Sequence, residues 1–111
     1  MQIRSLTQKD IRELFAKAQR IVRQKEIDVL LAPRKLCPGH LLIITPRKTG
    51  SAHERNKVRR RLRAVFYEEK LCEAPYDCIV IVKQGGVEMA FHKLREVLLS
   101  AYQQALRGLH A

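Results

Sequence analysis

Near the start of the chain Ile11, Leu14, Phe15 and Ala18 recur at helical spacing, which predicts an amphipathic helix over about residues 8–18. Thr7-Gln8-Lys9-Asp10 approximates a capping box at its start, in which the Thr hydroxyl accepts from a free amide of the first turn. Two short β-rich segments follow, residues 27–32 and 41–45, with Pro33, Pro38 and Gly39 marking a turn between them. They read as a hairpin or as two neighbouring strands, and a shorter pairing segment around residues 21–23 stays open. Beyond the basic loop Pro46-Arg47-Lys48-Thr49-Gly50, Ser51 and Glu54 form a second capping box. The helix it opens carries Val58, Leu62, Val65 and Phe66 and ends near Lys70, before Pro75. Residues 77–83 form a strand whose core, Cys78-Ile79-Val80-Ile81-Val82, is nearly all apolar, as expected of a central strand buried on both faces. After Gly85-Gly86, a last helix aligns Val87, Phe91, Leu94, Leu98, Ala101 and Ala105 on one stripe. The order α-β-β-α-β-α predicts a small α+β sandwich with helices packed on one sheet.

A chain of 111 residues fits one domain, residues 1–111, and its 46% apolar content suits a packed core. Charge changes the picture more. Lys and Arg number 22 against 11 Asp and Glu, a net +11 at pH 7, and the pI is near 10.1. A field of that sign around so small a domain calls for a polyanionic partner. Met1-Gln2-Ile3-Arg4-Ser5 lacks the apolar core of a signal peptide, and the longest apolar runs cover only four residues, so a cytoplasmic protein without membrane attachment is expected. Cys37, Cys72 and Cys78 form no CxxC pair, which argues against a disulfide framework or zinc knuckle and for buried or inert thiols.

The charge is concentrated. Residues 55–63, Arg55-Asn56-Lys57-Val58-Arg59-Arg60-Arg61-Leu62-Arg63, hold six basic residues in nine and no acidic one. Advancing about 100° per residue, Val58, Leu62, Val65 and Phe66 fall in one arc of roughly 100°, and Arg59, Arg63, Asn56 and Arg60 in a second beside it. Lys57 and Arg61 come further round, toward solvent. Arginine suits such a patch because its planar fork donates two hydrogen bonds to a phosphate and keeps its charge. Arg55 sits in the first turn, where free amides and the helix dipole also favour anions. A basic run is often only a solvated face; here the excess of Arg over Lys, the lack of acidic partners before Glu68 and the adjoining Arg47-Lys48 argue for a binding surface. The run alone does not separate RNA from DNA. His40, His53, His92 and His110 are scattered without metal-ligand spacing, and Glu68, Glu69 and Glu73 cluster only modestly, so no independent catalytic or metal site is expected. The competing readings are a ribosomal or assembly protein using the same helix, and a self-sufficient nuclease.

These residues carry a family resemblance. The chain resembles the bacterial ribonuclease P protein subunit, whose most recognisable stretch is a lysine-rich strand end, a Gly-x-Ala turn and an R-N-x-[IV]-K-R-x-[LI]-R helix. Arg47 and Lys48 stand at the paired basic positions, Gly50 and Ala52 at the turn, and Arg55, Asn56, Val58, Arg59, Arg60, Leu62 and Arg63 at the helix positions, with Arg59 where lysine is usual. Phe66 continues the pattern, and the likeness runs over nearly the whole chain. The resemblance implies the order α-β-β-β-α-β-α, one strand more than the hydrophobic pattern resolves, with a left-handed crossover at the arginine helix. It also implies a holoenzyme in which catalytic RNA carries Mg²⁺-dependent hydrolysis and one protein per RNA assists binding of precursor tRNA. The arginine helix and its preceding loop would contact ribonuclease P RNA. A cleft between the first helix and the sheet would hold the single-stranded 5′ leader, with Phe15 at a retained aromatic position and Ile11 where another aromatic residue is common.

Overall fold

The computed structural model describes residues 7–35 and 38–109, the last by its backbone only; Cys37, His110 and the N-terminal Met1 to Ser5 lie outside the described residues. The elements run α1 (Gln8–Lys17), β1 (Gln19–Arg23), β2 (Ile27–Pro33), β3 (Leu41–Ile44), α2 (Ala52–Glu68), β4 (Tyr76–Val82) and α3 (Phe91–Leu109). Short 3-10 turns occupy Arg47–Thr49, Leu71–Glu73 and Gly86–Glu88. The fold is α+β, and the open segment around residues 21–23 is the additional strand, β1.

The sheet order is β1-β2-β4-β3, with β2 antiparallel to both β1 and β4, and β3 parallel to β4. The expected hairpin or neighbour pairing of residues 27–32 with 41–45 is therefore wrong: β4 lies between them. The reason lies in β4, whose residues from Tyr76 to Val80 are all buried. A strand enclosed in that way must find hydrogen-bonding partners along both edges, because an unpaired buried amide or carbonyl is costly. Inserting between β2 and β3 satisfies both.

Alternation along the strands gives the sheet two apolar faces. Val29, Leu31, Cys78, Val80 and Val82 pack with Val58, Leu62, Val65 and Phe66 of α2 and with Leu94, Leu98 and Ala101 of α3. Leu30, Ala32 and Ile79 face the other way, onto Leu14 of α1. The handedness of the β3-α2-β4 connection follows from this arrangement. Cys78 points its side chain at the α2 layer and donates its amide to the carbonyl of His40, at the entry to β3 (2.8 Å). For an L-residue on an upward strand with its side chain toward the viewer, the amide points right, so β3 lies to the right of β4. The chain leaves β3, passes in front through α2 and returns leftward, a left-handed crossover that departs from the common rule.

Two further expectations change in detail. Of the α1 stripe only Leu14 is buried; Ile11 and Ala18 are half-buried and Phe15 is 39% exposed, because α1 meets the sheet along a narrow line. Val87 belongs to the turn before α3, and Phe91, which opens that helix, is exposed rather than part of its core stripe. Cys78 is fully buried, which pushes its thiol up to about 12 and keeps it protonated; Cys72 is half-buried, and both are free.

The Gly86–Glu88 turn is seated tightly against the β1–β2 connection. A Cβ at Gly86 would lie 2.5 Å from the carbonyl oxygen of Glu26 and 2.7 Å from Cγ1 of Val82. Gly86→Ala is expected to cost about 1–3 kcal/mol by forcing the turn away from the sheet. Urea unfolding checks this, and an unchanged midpoint would contradict it.

Candidate nucleic-acid interface

Local chemistry fixes where α2 begins. The Ser51 hydroxyl accepts from the Glu54 amide (3.1 Å), and Oε1 of Glu54 accepts from the Ser51 amide (3.0 Å), closing the predicted capping box. The Ser51 amide, followed by its hydroxyl, holds the Glu54 carboxyl below the usual carboxylate range. Val58, Leu62, Val65 and Phe66 are then fully buried, as the rotation predicts. Each such burial contributes about 1.5–3 kcal/mol. Against this stand like-charged neighbours at helical spacing, Arg55/Arg59, Lys57/Arg61, Arg59/Arg63, Lys57/Arg60 and Arg60/Arg63, at about 0.2–0.5 kcal/mol each. The anchors win, and the helix persists with its charges unneutralised.

Beside the buried stripe, Asn56, Arg60 and Arg63 are exposed and Arg59 is half-buried. Asn56 Oδ1 accepts from Nη1 of Arg59 (3.1 Å), which orients the guanidinium along the helix face. Arg55 is half-buried in the first turn, and its Nε is buried without a hydrogen-bond acceptor among the described residues. Arg47 and Lys48 are exposed on the 3-10 turn that leads into Ser51, so the chain delivers them to the same end of α2. All seven of the basic and amide residues expected at this surface thus lie on α2 or on the turn that leads into it. Arg61 is the exception to the predicted solvent side: it is half-buried and donates from Nη1 to the carbonyl of Met89 (2.8 Å), tying α2 to the segment before α3. Its tie was invisible in the sequence because it depends on a carbonyl 28 residues away.

Five cations elsewhere among the described residues are paired with carboxylates. Lys35 meets Glu13 at 2.7 Å, Arg95 meets Glu69 at 2.6 Å, Lys93 meets Glu96 at 3.7 Å, and Arg20 and Lys83 meet Asp28 at 3.3 and 2.8 Å. Among the described residues, Arg47, Lys48, Arg55, Lys57, Arg59, Arg60 and Arg63 make no ion pair with a carboxylate. A row of arginine forks on a rigid helix, with its charge uncompensated within the protein, is suited to phosphates.

Phe15 is not part of this surface. It lies on α1, across the sheet from α2, on the face where Leu42, Ile44 and Ile81 are only half-buried. Asp28, between Arg20 and Lys83, lies on this face, as does Asp77, whose Oδ1 accepts the His40 amide at 2.7 Å. Both carboxylates are buried, and no group of three or more His, Cys, Asp or Glu among the described residues could hold a metal ion. No described helix is long and apolar enough to cross a membrane.

Comparison with known proteins agrees with this geometry. A family model described as Ribonuclease P matches residues 2–106. The chain is 34% identical over 105 residues to the ribonuclease P protein component of Erythrobacter litoralis, covering 78% of this chain and 87% of that protein. It is 31% identical over 109 residues to that of Photorhabdus laumondii, covering 96% and 89%. Among solved structures, the RNase P protein from Thermotoga maritima superposes with a TM-score of 0.76 at 25% identity, covering 93% of this chain and 97% of that one.

The lowered Glu54 carboxyl makes the start of α2 acid-sensitive. A carboxyl depressed in the folded state stabilises it above the unfolded value of 4.5, and that contribution is lost as pH falls through the folded value. Glu54→Gln keeps a side-chain acceptor without the titration, so it is expected to melt below the parent at pH 7 and to converge with it as pH falls below 4.5. Thermal melts across that range check this; a difference independent of pH would contradict it.

Proposed function

Since the chain belongs to the ribonuclease P family, we propose that it is the protein subunit of the tRNA 5′-maturation endoribonuclease, docking on the catalytic RNA through α2 and the turn before it. The observation that carries the reading is the run of unpaired cations on an anchored helix: Arg47, Lys48, Arg55, Arg59, Arg60 and Arg63, with Asn56 among them. Phosphate contacts of that kind position a protein on RNA and supply most of its affinity.

In this reading the protein binds and orients, and the RNA supplies hydrolysis of the phosphodiester with its own Mg²⁺. The described residues do not fit a magnesium site of the protein's own: Asp28 is taken by Arg20 and Lys83, and Asp77 by the His40 amide. The α1 side of the sheet is the second RNA surface, for the single-stranded leader of precursor tRNA. Phe15 supports that role by being exposed rather than packed into the core, and its ring offers a face on which a base can stack. One protein serves one catalytic RNA, as a single domain acting in the cytoplasm.

Reconstitution tests this function. The protein with Mg²⁺ alone is expected to leave precursor tRNA intact, whereas adding it to its ribonuclease P RNA restores cleavage at magnesium concentrations where the RNA alone is slow. Phe15→Ala should reduce that benefit more for precursor with a leader than for binding of mature tRNA. Cleavage by the protein without RNA, or no stimulation of the RNA, would contradict the assignment; equal effects of Phe15→Ala on both ligands would return that ring to a structural role.

A further inference from the structure

One residue on the arginine face is aromatic. Tyr67 is the most exposed of the chain's large apolar side chains among the described residues, at 48%, whereas Tyr76 and Tyr102 are buried at 8% and 3%. Single exposed aromatics are common on protein surfaces and need no explanation by themselves. The position of this one does. Tyr67 follows Arg63 by four residues and Arg60 by seven, and at about 100° per residue it comes round between the two, inside the arc that also holds Asn56. Side chains four apart on a helix are neighbours, so the phenol continues the row of guanidinium groups toward the C-terminal end of α2. The nearest glutamates do not share that arc: Glu68 points further round the helix, and Glu69 is held by Arg95 at 2.6 Å.

The ring is also held. Its centroid lies 5.4 Å from that of the fully buried Phe66, with the planes at 83°, an edge-to-face contact. Such contacts fix ring orientation at little further entropic cost when a ligand arrives. A cationic track interrupted by an aromatic ring is the arrangement by which proteins hold unpaired nucleotides, with phosphates on the cations and a base on the ring.

We propose that Tyr67 is a stacking platform for an unpaired base of the catalytic RNA at the end of the docking helix. The inference rests on the proposed RNA-docking role of α2 and adds to it: α2 reads an exposed base as well as backbone charge. A helix using phosphates alone would accept any duplex of suitable shape, whereas a ring at its end favours RNA with an unstacked nucleotide at one position.

Substitutions at Tyr67 separate stacking from charge. The parent chain has no tryptophan, so Tyr67→Trp creates a single indole reporter on this face. Titrated with the chain's own ribonuclease P RNA, Tyr67→Trp is expected to bind within about threefold of the parent and to show quenched, RNA-dependent emission. Tyr67→Phe should bind equally well. Tyr67→Leu keeps apolar bulk without a π face and should weaken binding by about 5- to 100-fold, with the slope of log affinity against log salt unchanged because a neutral ring releases no counterions. Leu binding like the parent, a changed slope, or Trp emission indifferent to saturating RNA would overturn the stacking role. Failure of the parent itself to bind the RNA would instead overturn the docking function of α2, and the stacking role with it.

Discussion

Burial of Val58, Leu62, Val65 and Phe66 between the sheet and α3 is the interaction on which the rest of α2 depends. A segment with six cations and no acidic residue among nine would be a poor helix in isolation, since like charges at helical spacing oppose it and short helices are marginal in water. Four fully buried side chains change that balance. They hold the helix rigid while leaving the row from Asn56 through Arg63 facing outward, and Arg61, bound to the Met89 carbonyl, fixes the helix against the start of α3. Stability is thus drawn from one arc of α2 so that the adjacent arc can remain unneutralised.

The sheet extends this division to the whole molecule. Because β4 is enclosed and requires partners on both edges, β3 is placed beyond it, and α2 must cross on one face to connect the two. That leaves the opposite face to α1, which covers it incompletely. The two candidate RNA surfaces are therefore back to back: the cationic helix on one layer, and on the other a partly covered apolar surface rimmed by Arg20 and Lys83 around Asp28. Their separation suits two different stretches of RNA engaged at once, as expected of a subunit positioned between a catalytic RNA and its substrate.

Much of this was legible in the sequence, for physical reasons that differ by element. The capping boxes at Thr7 and Ser51 are local, so each helix start could be read from four consecutive residues, and both are present. The anchoring stripe of α2 follows from rotation alone. Strand neighbours are another matter: pairing is a long-range choice, and proximity in sequence wrongly suggested that β2 and β3 lie side by side. The brief segment at β1 is mostly exposed, with only Val22 buried, and has a bulge between Arg20 and Val22, so its alternation is too weak to announce a strand. The arginine row was recognised by its charge, which is why Tyr67 was passed over: rotation places it in the same arc, but nothing basic marks it, and its 48% exposure becomes visible only in the structure.

Binding of RNA by the unpaired arginines of α2 is read most directly from the salt dependence of affinity for ribonuclease P RNA. Removing one arginine–phosphate interaction should reduce the slope of log affinity against log salt by about 0.7–0.9. Replacing Arg59, Arg60 and Arg63 together with Ala is predicted to leave the fold intact, since none of the three is buried, and to flatten the slope by about 2–3. A folded triple variant that binds with the slope of the parent would contradict the account, showing the row to be a solvated helix face.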